Sequence, residues 1–309
     1  APIREDLVER RIREVKEQGV VCAASLTPQR VTSHYEAALE AGLDILVIQG
    51  TVISAEHVST TSEPLNLKEF IREVPVPVIV GGCASYATGL HLMRTGAVAV
   101  LVGVGPGAAC TTRGVLGIGV PQATAIADVQ AARSQHMLET GEYVKVIADG
   151  GMRNGGDIAK AFACGADAVM IGSPLARAYE APGHGFHWGM ATFHPSLPRG
   201  ARVKTTQNGT LEQILLGPAH ENDGTFNLMG SLRTSMATCG YEDIPDFHRA
   251  EVMVAPALQT EGKQLQRDQS IGMGSAGATA APSRDNVTNG AAHSALTEPQ
   301  VAAPTPVGE

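Results

Sequence analysis

The sequence has little of several features that define large protein classes. Aromatic residues make up 4% of its 309 residues, and no apolar run approaches the roughly 18 residues of a membrane span. Positive charge is not in excess, because 23 Lys and Arg stand against 31 Asp and Glu, a formal net charge of −8. That balance disfavours nonspecific binding to nucleic acid. We therefore expect neither a membrane protein nor a nucleic-acid-binding protein.

Cysteine is also scarce. There are five cysteines, an odd number, and no two of them form a Cys-x-x-Cys pair. The first residues are crowded with charge and do not have the pattern of a signal peptide. A protein of the reducing cytoplasm, without a disulfide framework, is therefore expected.

What the sequence does contain is a regular alternation of apolar runs and helical patterns. Most of the runs are continuous in Val, Ile, Leu or Ala, which is typical of parallel strands buried on both faces. Glycine ends several helices just before the next strand, as in an αβ connection. The predicted strands are 20–25, 44–48, 76–80, 97–102, 144–148 and 168–171. The predicted helices are 5–18, 33–41, 67–73, 87–95, 123–139 and 156–163.

This alternation predicts an α/β fold with a parallel sheet. Six units fit either an open six-stranded sheet or a (β/α)8 TIM barrel that lacks its first two βα units. We favour the barrel, because the segment before the first strand is a charged helix with no strand ahead of it. Absent strands would leave unpaired sheet edges, so we expect the isolated chain to be insoluble or inactive.

The domain organisation follows from changes in composition. Residues 1–274 are predicted to form the partial-barrel catalytic domain. Within it, residues 183–227 lose the βα rhythm and are predicted to form a flap, in which 201–206 and 210–216 suggest a hairpin. Residues 275–309 are rich in Ala, Pro and Thr and are predicted to be a disordered tail.

Cys110 lies in a glycine-rich loop, residues 103–111, directly after the fourth predicted strand. Glycine and proline in this loop exclude a helix and let a ligand approach the backbone closely. Most free cysteines are simply buried, whereas this position favours a nucleophile. The residues alone leave both interpretations of Cys110 open.

Two glycine turns follow the last two predicted strands. In eight-fold barrels the loops after the last two strands commonly bind phosphate through backbone N–H groups. Asp149, just ahead of Gly150 and Gly151, is placed to accept hydrogen bonds from ribose hydroxyls. Gly172 and Ser173 form the second turn. The alternative is that both are ordinary βα turns and that Asp149 caps a helix.

Several segments of the sequence resemble motifs of the IMP dehydrogenase and GMP reductase family and follow one another in the same order. The similarity extends from about residue 20 to about residue 259. No regulatory CBS pair is visible, and the sequence resembles the compact IMP dehydrogenase-related branch, with the first barrel units lying upstream of Ala1. The segments that resemble family motifs are 103–113, 147–152 with 156–160, 169–173, 187–191 and 232–240.

The resemblance implies an NAD-dependent oxidoreductase that converts IMP to XMP in GMP biosynthesis. Cys110 would attack C2 of the hypoxanthine, and water would hydrolyse the resulting thioimidate once the flap closes. Thr112 would position the water or the purine. Arg199 and Arg202 are the candidates for the flap's activating arginine. The resemblance also implies a homotetramer.

The resemblance further implies three sets of ligand contacts. Carbonyls of Gly105, Gly107 and Cys110 would hold a potassium ion. The predicted contacts to the nucleotide substrate are Asp149, Gly150, Gly151, Gly172, Ser173, His187, Gly189 and Met190. The predicted contacts to NAD are Gln49, Gly50, Cys83, Gly103 and Gly105.

Some positions depart from the family pattern. Ala108 replaces a serine that touches phosphate. An Asp that contacts NAD is replaced around Gln49 and Gly50, and Cys83 stands in place of an Asn. Nucleotide binding is therefore better supported by the sequence than the use of NAD.

Three alternatives remain. GMP reductase, which uses NADPH and releases ammonia, employs the same cysteine. A catalytically silent purine-nucleotide-binding regulator would explain the departures on the cofactor side. Another phosphate-binding barrel, such as an isomerase or aldolase, is disfavoured because no strand-end lysine or paired acids are evident.

Overall fold

The computed structural model describes residues 4–50, 65–189, 202–254 and 264–272. Its main feature is a six-stranded parallel sheet whose strands follow one another in chain order. The strands of this sheet are β1 (Ala23–Leu26), β2 (Ile45–Gln49), β3 (Val78–Cys83), β4 (Ala99–Val102), β5 (Lys145–Asp149) and β6 (Ala168–Met170).

Helices connect these strands and cover the sheet. The longest helix described, Gln122–Thr140, runs for 19 residues. The other helices up to the last strand of the sheet are α1 (Glu5–Lys16), α2 (Val31–Glu40), α3 (Leu67–Glu73), α4 (Tyr86–Met93), α5 (Thr112–Leu116), α6 (Gln122–Thr140) and α7 (Gly155–Ala163). After β6 come α8 (Ser173–Ala176), α9 (Leu211–Leu215), α10 (Leu228–Thr238), α11 (Ile244–Phe247) and α12 (Gln264–Asp268).

The predicted α/β architecture is confirmed. Each predicted strand lies within a few residues of an observed one, and all four residues of β4 are buried. A strand covered on both faces needs apolar side chains in both directions, which is why its sequence is a continuous apolar run. The pattern therefore predicted the strands well.

The sheet is curled and has the shape of a half-barrel, which agrees with the partial TIM barrel that we favoured. Among the described strands, β1 and β6 each pair on one side only. All six strands run in the same direction, so their carboxyl ends meet at one edge. This edge carries the loops with Cys110 and the two glycine turns.

The predicted hairpin between 201–206 and 210–216 is wrong. Strand β8 (Arg202–Lys204) pairs instead with β7 (Phe186–Trp188), which lies earlier in the chain, in an antiparallel ribbon. Residues 211–215 form helix α9, which begins at a capping box made by Thr210 and Gln213. A capping box satisfies two backbone donors at a helix start, which explains the helix here.

Several sequence predictions fall outside the described residues. They include Met190, Arg199 and the tail 275–309. In the part of the chain that is described, no helix is long and apolar enough to cross a membrane. The boundaries of the predicted domain and of the flap stay predictions.

Candidate active site

The cysteine loop, residues 103–111, is held in a compact shape. The amide of Cys110 donates to the carbonyl of Gly107 at 3.0 Å. The Sγ of Cys110 lies 3.2 Å from the Oγ1 of Thr112. Cys110 is half-buried, whereas Thr112, the first residue of α5, is fully buried. The thiol of Cys110 is therefore partly accessible and has a buried hydroxyl neighbour.

Arg113 locks the base of this loop. Its guanidinium donates to the carbonyl of Val104 at 3.2 Å and to that of Val120 at 2.6 Å. A side chain at Gly105, which has a φ of 80°, would come within 2.6 Å of Arg113 Cγ. Glycine is thus required there by both the backbone conformation and the close approach of the arginine.

The first predicted phosphate turn packs directly on the cysteine loop. A Cβ at Gly151 would lie 2.9 Å from Pro106 Cβ. The amide of Gly150 donates to the carbonyl of Met170. Within the described residues the amide of Gly151 has no acceptor, so of the two predicted glycines it is the one with a free N–H for an anion.

The second turn is joined to the ribbon of β7 and β8. Ser173 Oγ lies 2.9 Å from His187 Nε2. The other ring nitrogen of His187 is buried and has no hydrogen-bond partner in the described part of the chain. The space around Gly172 is open. The turn therefore has open space at Gly172 next to a serine hydroxyl that is held by His187.

Asp149 ends β5 between these loops. Its Oδ2 accepts a hydrogen bond from Gln49 Nε2 at 3.0 Å. Burial raises the pKa of Asp149 to about 6, and the hydrogen bond from Gln49 opposes that rise. The carboxyl group is therefore mostly ionised at neutral pH but close to its titration range.

Gly189, the residue after β7, reaches the cysteine loop. A Cβ there would lie 3.3 Å from the carbonyl oxygen of Ala109 and 3.8 Å from Cys110 Cα. Arg202, one of the two candidate activating arginines, places its guanidinium 4.3 Å from the centre of the Phe186 ring. The predicted catalytic role of Arg202 therefore has no support from its contacts.

Four of the five predicted NAD contacts, Gln49, Gly50, Cys83 and Gly103, are engaged in contacts within the protein. Gln49 donates to Asp149, and both backbone groups of Gly50 bond to β3. Cys83 is fully buried, and burial raises the pKa of its thiol to about 12. A Cβ at Gly103 would clash with the carbonyl of Asp149. These residues hold the sheet edge together.

The predicted potassium ligands do fit a monovalent cation in their chemistry. Gly107 uses one carbonyl lone pair for the amide of Cys110. The carbonyls of Gly105 and Cys110 accept no hydrogen bond from the described residues. Backbone carbonyls of this kind are the ligands that potassium takes in proteins. No group of three or more His, Cys, Asp or Glu side chains able to hold a metal occurs in the described ranges.

Sequence reasoning missed Gln122 as a residue of this site. Its Nε2 donates to the carbonyl of Val102 at 2.6 Å, and its Oε1 is buried without a partner in the described residues. It lies against Gly103. A polar residue at the start of the long helix, just after the cysteine loop, was the available signal.

Comparison with known sequences identifies this arrangement. Residues 8–264 match the sequence model of the IMP dehydrogenase / GMP reductase domain. The chain belongs to the IMP dehydrogenase / GMP reductase family. An uncharacterized oxidoreductase of Mycolicibacterium smegmatis is 50% identical over 258 residues, which are 82% of this chain and 69% of that protein.

More distant and structural relatives agree. An inosine-5′-monophosphate dehydrogenase of Methanocaldococcus jannaschii is 34% identical over 254 residues, 73% of this chain and 49% of that protein. The crystal structure of an IMP dehydrogenase/GMP reductase-like protein from Corynebacterium glutamicum is 48% identical, with a TM-score of 0.77 over 82% of this chain and 67% of that one. These relatives support an oxidoreductase of the IMP dehydrogenase type.

Proposed function

We propose that this protein catalyses the NAD-dependent oxidation of IMP to XMP, with Cys110 as the nucleophile. The observation that carries the proposal is the packing of the cysteine loop on the turn that follows Asp149. Pro106 contacts Gly151, and Gly189, directly after β7, contacts the same loop beside Cys110. The half-buried thiol therefore belongs to a loop that contacts both the glycine turn after Asp149 and the end of β7.

Nucleotide binding in this proposal uses the groups around that thiol. The free amide of Gly151, the hydroxyl of Ser173 and the ring of His187 would hold the phosphate. Asp149 would accept hydrogen bonds from the ribose hydroxyls, because a carboxylate is an acceptor at both oxygens. The main chain of Gly189, with that of Met190, would contact the purine.

In this proposal Cys110 and Thr112 carry out the chemistry. Sγ forms a bond to C2 of the purine, and oxidation at C2 by two electrons leaves a thioimidate. Water adds to C2, the C–S bond breaks, the thiol is restored and XMP is released. The Thr112 hydroxyl, 3.2 Å from Sγ, is close enough to orient that water. NAD is the proposed hydride acceptor, and no described residue is assigned to it.

GMP reduction with NADPH is the second candidate. That reaction releases ammonia from C2 and needs no activated water. Thr112 is the described side chain that bonds to Cys110, and Arg202 lies over Phe186. The absence of a strong base among these contacts favours a reaction without a hydrolytic step.

The two candidates are separated by paired assays on the same preparation. One assay supplies IMP and NAD⁺ and follows NADH. The other supplies GMP and NADPH and follows ammonia. Turnover in the first assay supports the proposal, and turnover only in the second replaces it with GMP reductase. Nucleotide binding without turnover in either assay would indicate a catalytically silent regulator.

A further inference from the structure

The hydrogen bond between Gln49 and Asp149 spans the sheet in an unusual way. Gln49 ends β2 and Asp149 ends β5, so β3 and β4 lie between them in the sheet. In a flat sheet these two backbones would be roughly 14 Å apart, from the usual strand spacing. The side chains meet at 3.0 Å because the sheet is curled, and they meet across its concave side.

This hydrogen bond engages one of the two carboxylate oxygens of Asp149. Within the described residues, Oδ2 of Asp149 has Gln49 as its partner and Oδ1 has none. The Nε2 of Gln49 also lies 3.9 Å from the sulfur of Met170 on β6. This hydrogen bond to one oxygen restrains the rotation of the carboxyl group and so favours one direction for the second oxygen.

The surroundings of Asp149 leave the side-chain amide of Gln49 as an important influence on the carboxyl group. Burial raises the pKa of the carboxyl group to about 6, the hydrogen bond from Gln49 lowers it, and no charged group contributes. The titratable or charged groups on the loops packed beside it are Cys110, Arg113 and His187. Arg113 is bonded to the carbonyls of Val104 and Val120, and His187 to Ser173. Gln49 is thus the described group that favours the ionised form.

We propose that Gln49 is a positioning residue for Asp149, which it orients so that Oδ1 can accept the sugar hydroxyls of a purine ribonucleotide. This inference rests on the proposed function, because it assigns Asp149 to the ribose. It replaces the cofactor contact that the sequence predicted for Gln49. In this proposal Gln49, on β2, supports recognition of the ribose by Asp149 on β5, although two strands lie between them in the sheet.

The test compares Gln49→Leu with the wild type. Leucine has a similar size but cannot donate a hydrogen bond. Gln135→Leu is the matched control, because Gln135 donates the same kind of amide hydrogen bond to Glu139 on the surface of α6. Affinities for IMP and for its 2′,3′-dideoxy analogue are measured by calorimetry between pH 5 and pH 8. Asp149 is also titrated by carboxyl ¹³C NMR without nucleotide.

Gln49→Leu is expected to weaken IMP binding at pH 7 by about tenfold, in line with loss of a hydrogen bond to a charged group. Binding of the dideoxy analogue is expected to stay unchanged, and the NMR midpoint of Asp149 to move upward. Gln135→Leu is expected to change none of the three. An unmoved midpoint, or an equal loss for both nucleotides, overturns the proposal.

The outcome is separable from that of the proposed function. If the protein discriminates IMP from its dideoxy analogue through Gln49 but turns over neither IMP nor GMP, the inference stands and the proposed reaction fails. If the protein oxidises IMP while Gln49→Leu leaves that discrimination and the NMR midpoint unchanged, the reaction stands and the inference fails. If neither nucleotide binds, the NMR midpoint alone decides whether Gln49 controls Asp149.

Discussion

At the scale of single residues, the thiol and the carboxylate of the site each depend on one neighbouring side chain. Cys110 has Thr112 at 3.2 Å, and Asp149 has Gln49 at 3.0 Å. The sequence predicted Cys110 and Asp149 because glycine-rich turns after strands mark them, and the family resemblance implied Thr112. It did not predict the contact of Gln49, since these partners are 100 residues apart and meet only when the sheet curls.

Thr112 offers a test of the proposed chemistry. Thr112→Val keeps the shape of a fully buried residue but removes the hydroxyl beside Sγ. We expect steady-state turnover to fall by roughly 10²-fold, the lower range for a lost proton-transfer group. Thr112→Ser keeps the hydroxyl and is expected to retain most of the activity. Equal rates for the two variants would show that the hydroxyl has no part in the reaction.

Asp149 is predicted to lower the stability of the native state. Its pKa is about 6 in the fold, above the value of about 3.9 in an unfolded chain. The folded state therefore binds the proton more tightly, and stability is lost as pH rises from about 4 to 6. Asp149→Asn should raise the free energy of unfolding at pH 7 by about 2 kcal/mol.

Urea denaturation at pH 7 and at pH 5 measures this effect. The gain from Asp149→Asn is expected to be smaller at pH 5, where the wild-type carboxyl is largely protonated. Asp128→Asn, on the exposed face of α6, is the control and should change little. A gain that is the same at both pH values would mean that the carboxyl group does not titrate as described.

At the scale of elements, each of two αβ connections contains an aspartate whose side chain accepts a hydrogen bond from a backbone amide at or next to a neighbouring strand. Asp44 accepts the backbone amide of Cys22, and Asp167 accepts that of Val146, each at 2.7 Å. Both follow the recurring helix-ending glycine. The sequence showed this glycine as a helix stop, but it did not show that the aspartate bonds to the preceding strand.

The two aspartates are expected to differ in their contribution to stability. Asp167 also accepts hydrogen bonds from Arg133 and Tyr143, each at 2.7 Å, and Arg133 is only 4% exposed. Asp167→Asn leaves that guanidinium without a counter-charge and should cost about 3–5 kcal/mol. Asp44→Asn should lower the free energy of unfolding clearly less, because Asp44 is paired with the partly exposed Lys16. Equal losses in chemical denaturation would contradict this ranking.

Elements were predicted unevenly along the chain. The six strands of the sheet and six of the seven described helices up to β6 have strong periodic patterns and were predicted within a few residues; the five-residue helix α5 was not predicted. The ribbon of β7 and β8 was not predicted, because the two strands have three residues each and are separated by 13 residues. Short strands of this kind are defined by their partner and not by their own pattern.

At the scale of the whole molecule, the half-barrel has protected central strands and less protected edges. β3 and β4 each pair with two neighbours, whereas β1 and β6 pair with one among the described strands. Alternation of strands and helices was enough to predict a parallel sheet. The alternation by itself did not determine the curl of the sheet, because the same pattern serves an open sheet and a barrel; the charged helix ahead of the first strand was the reason for favouring the barrel.

Hydrogen exchange should follow this arrangement. Amides of β4 are expected to exchange slowest, and those of β1 and β6 fastest among the six strands. Peptide-resolved exchange with mass spectrometry measures the order. Protection of β1 equal to that of β4 would mean that another segment or a partner covers this edge.

The most direct test of the account is peptide mass mapping of the enzyme quenched with acid during turnover of IMP and NAD⁺. We predict a purine-nucleotide adduct on the peptide that contains Cys110, and no adduct or turnover in Cys110→Ser. Turnover with an unmodified Cys110 peptide, or turnover by Cys110→Ser, would contradict the claim that this thiol attacks the nucleotide.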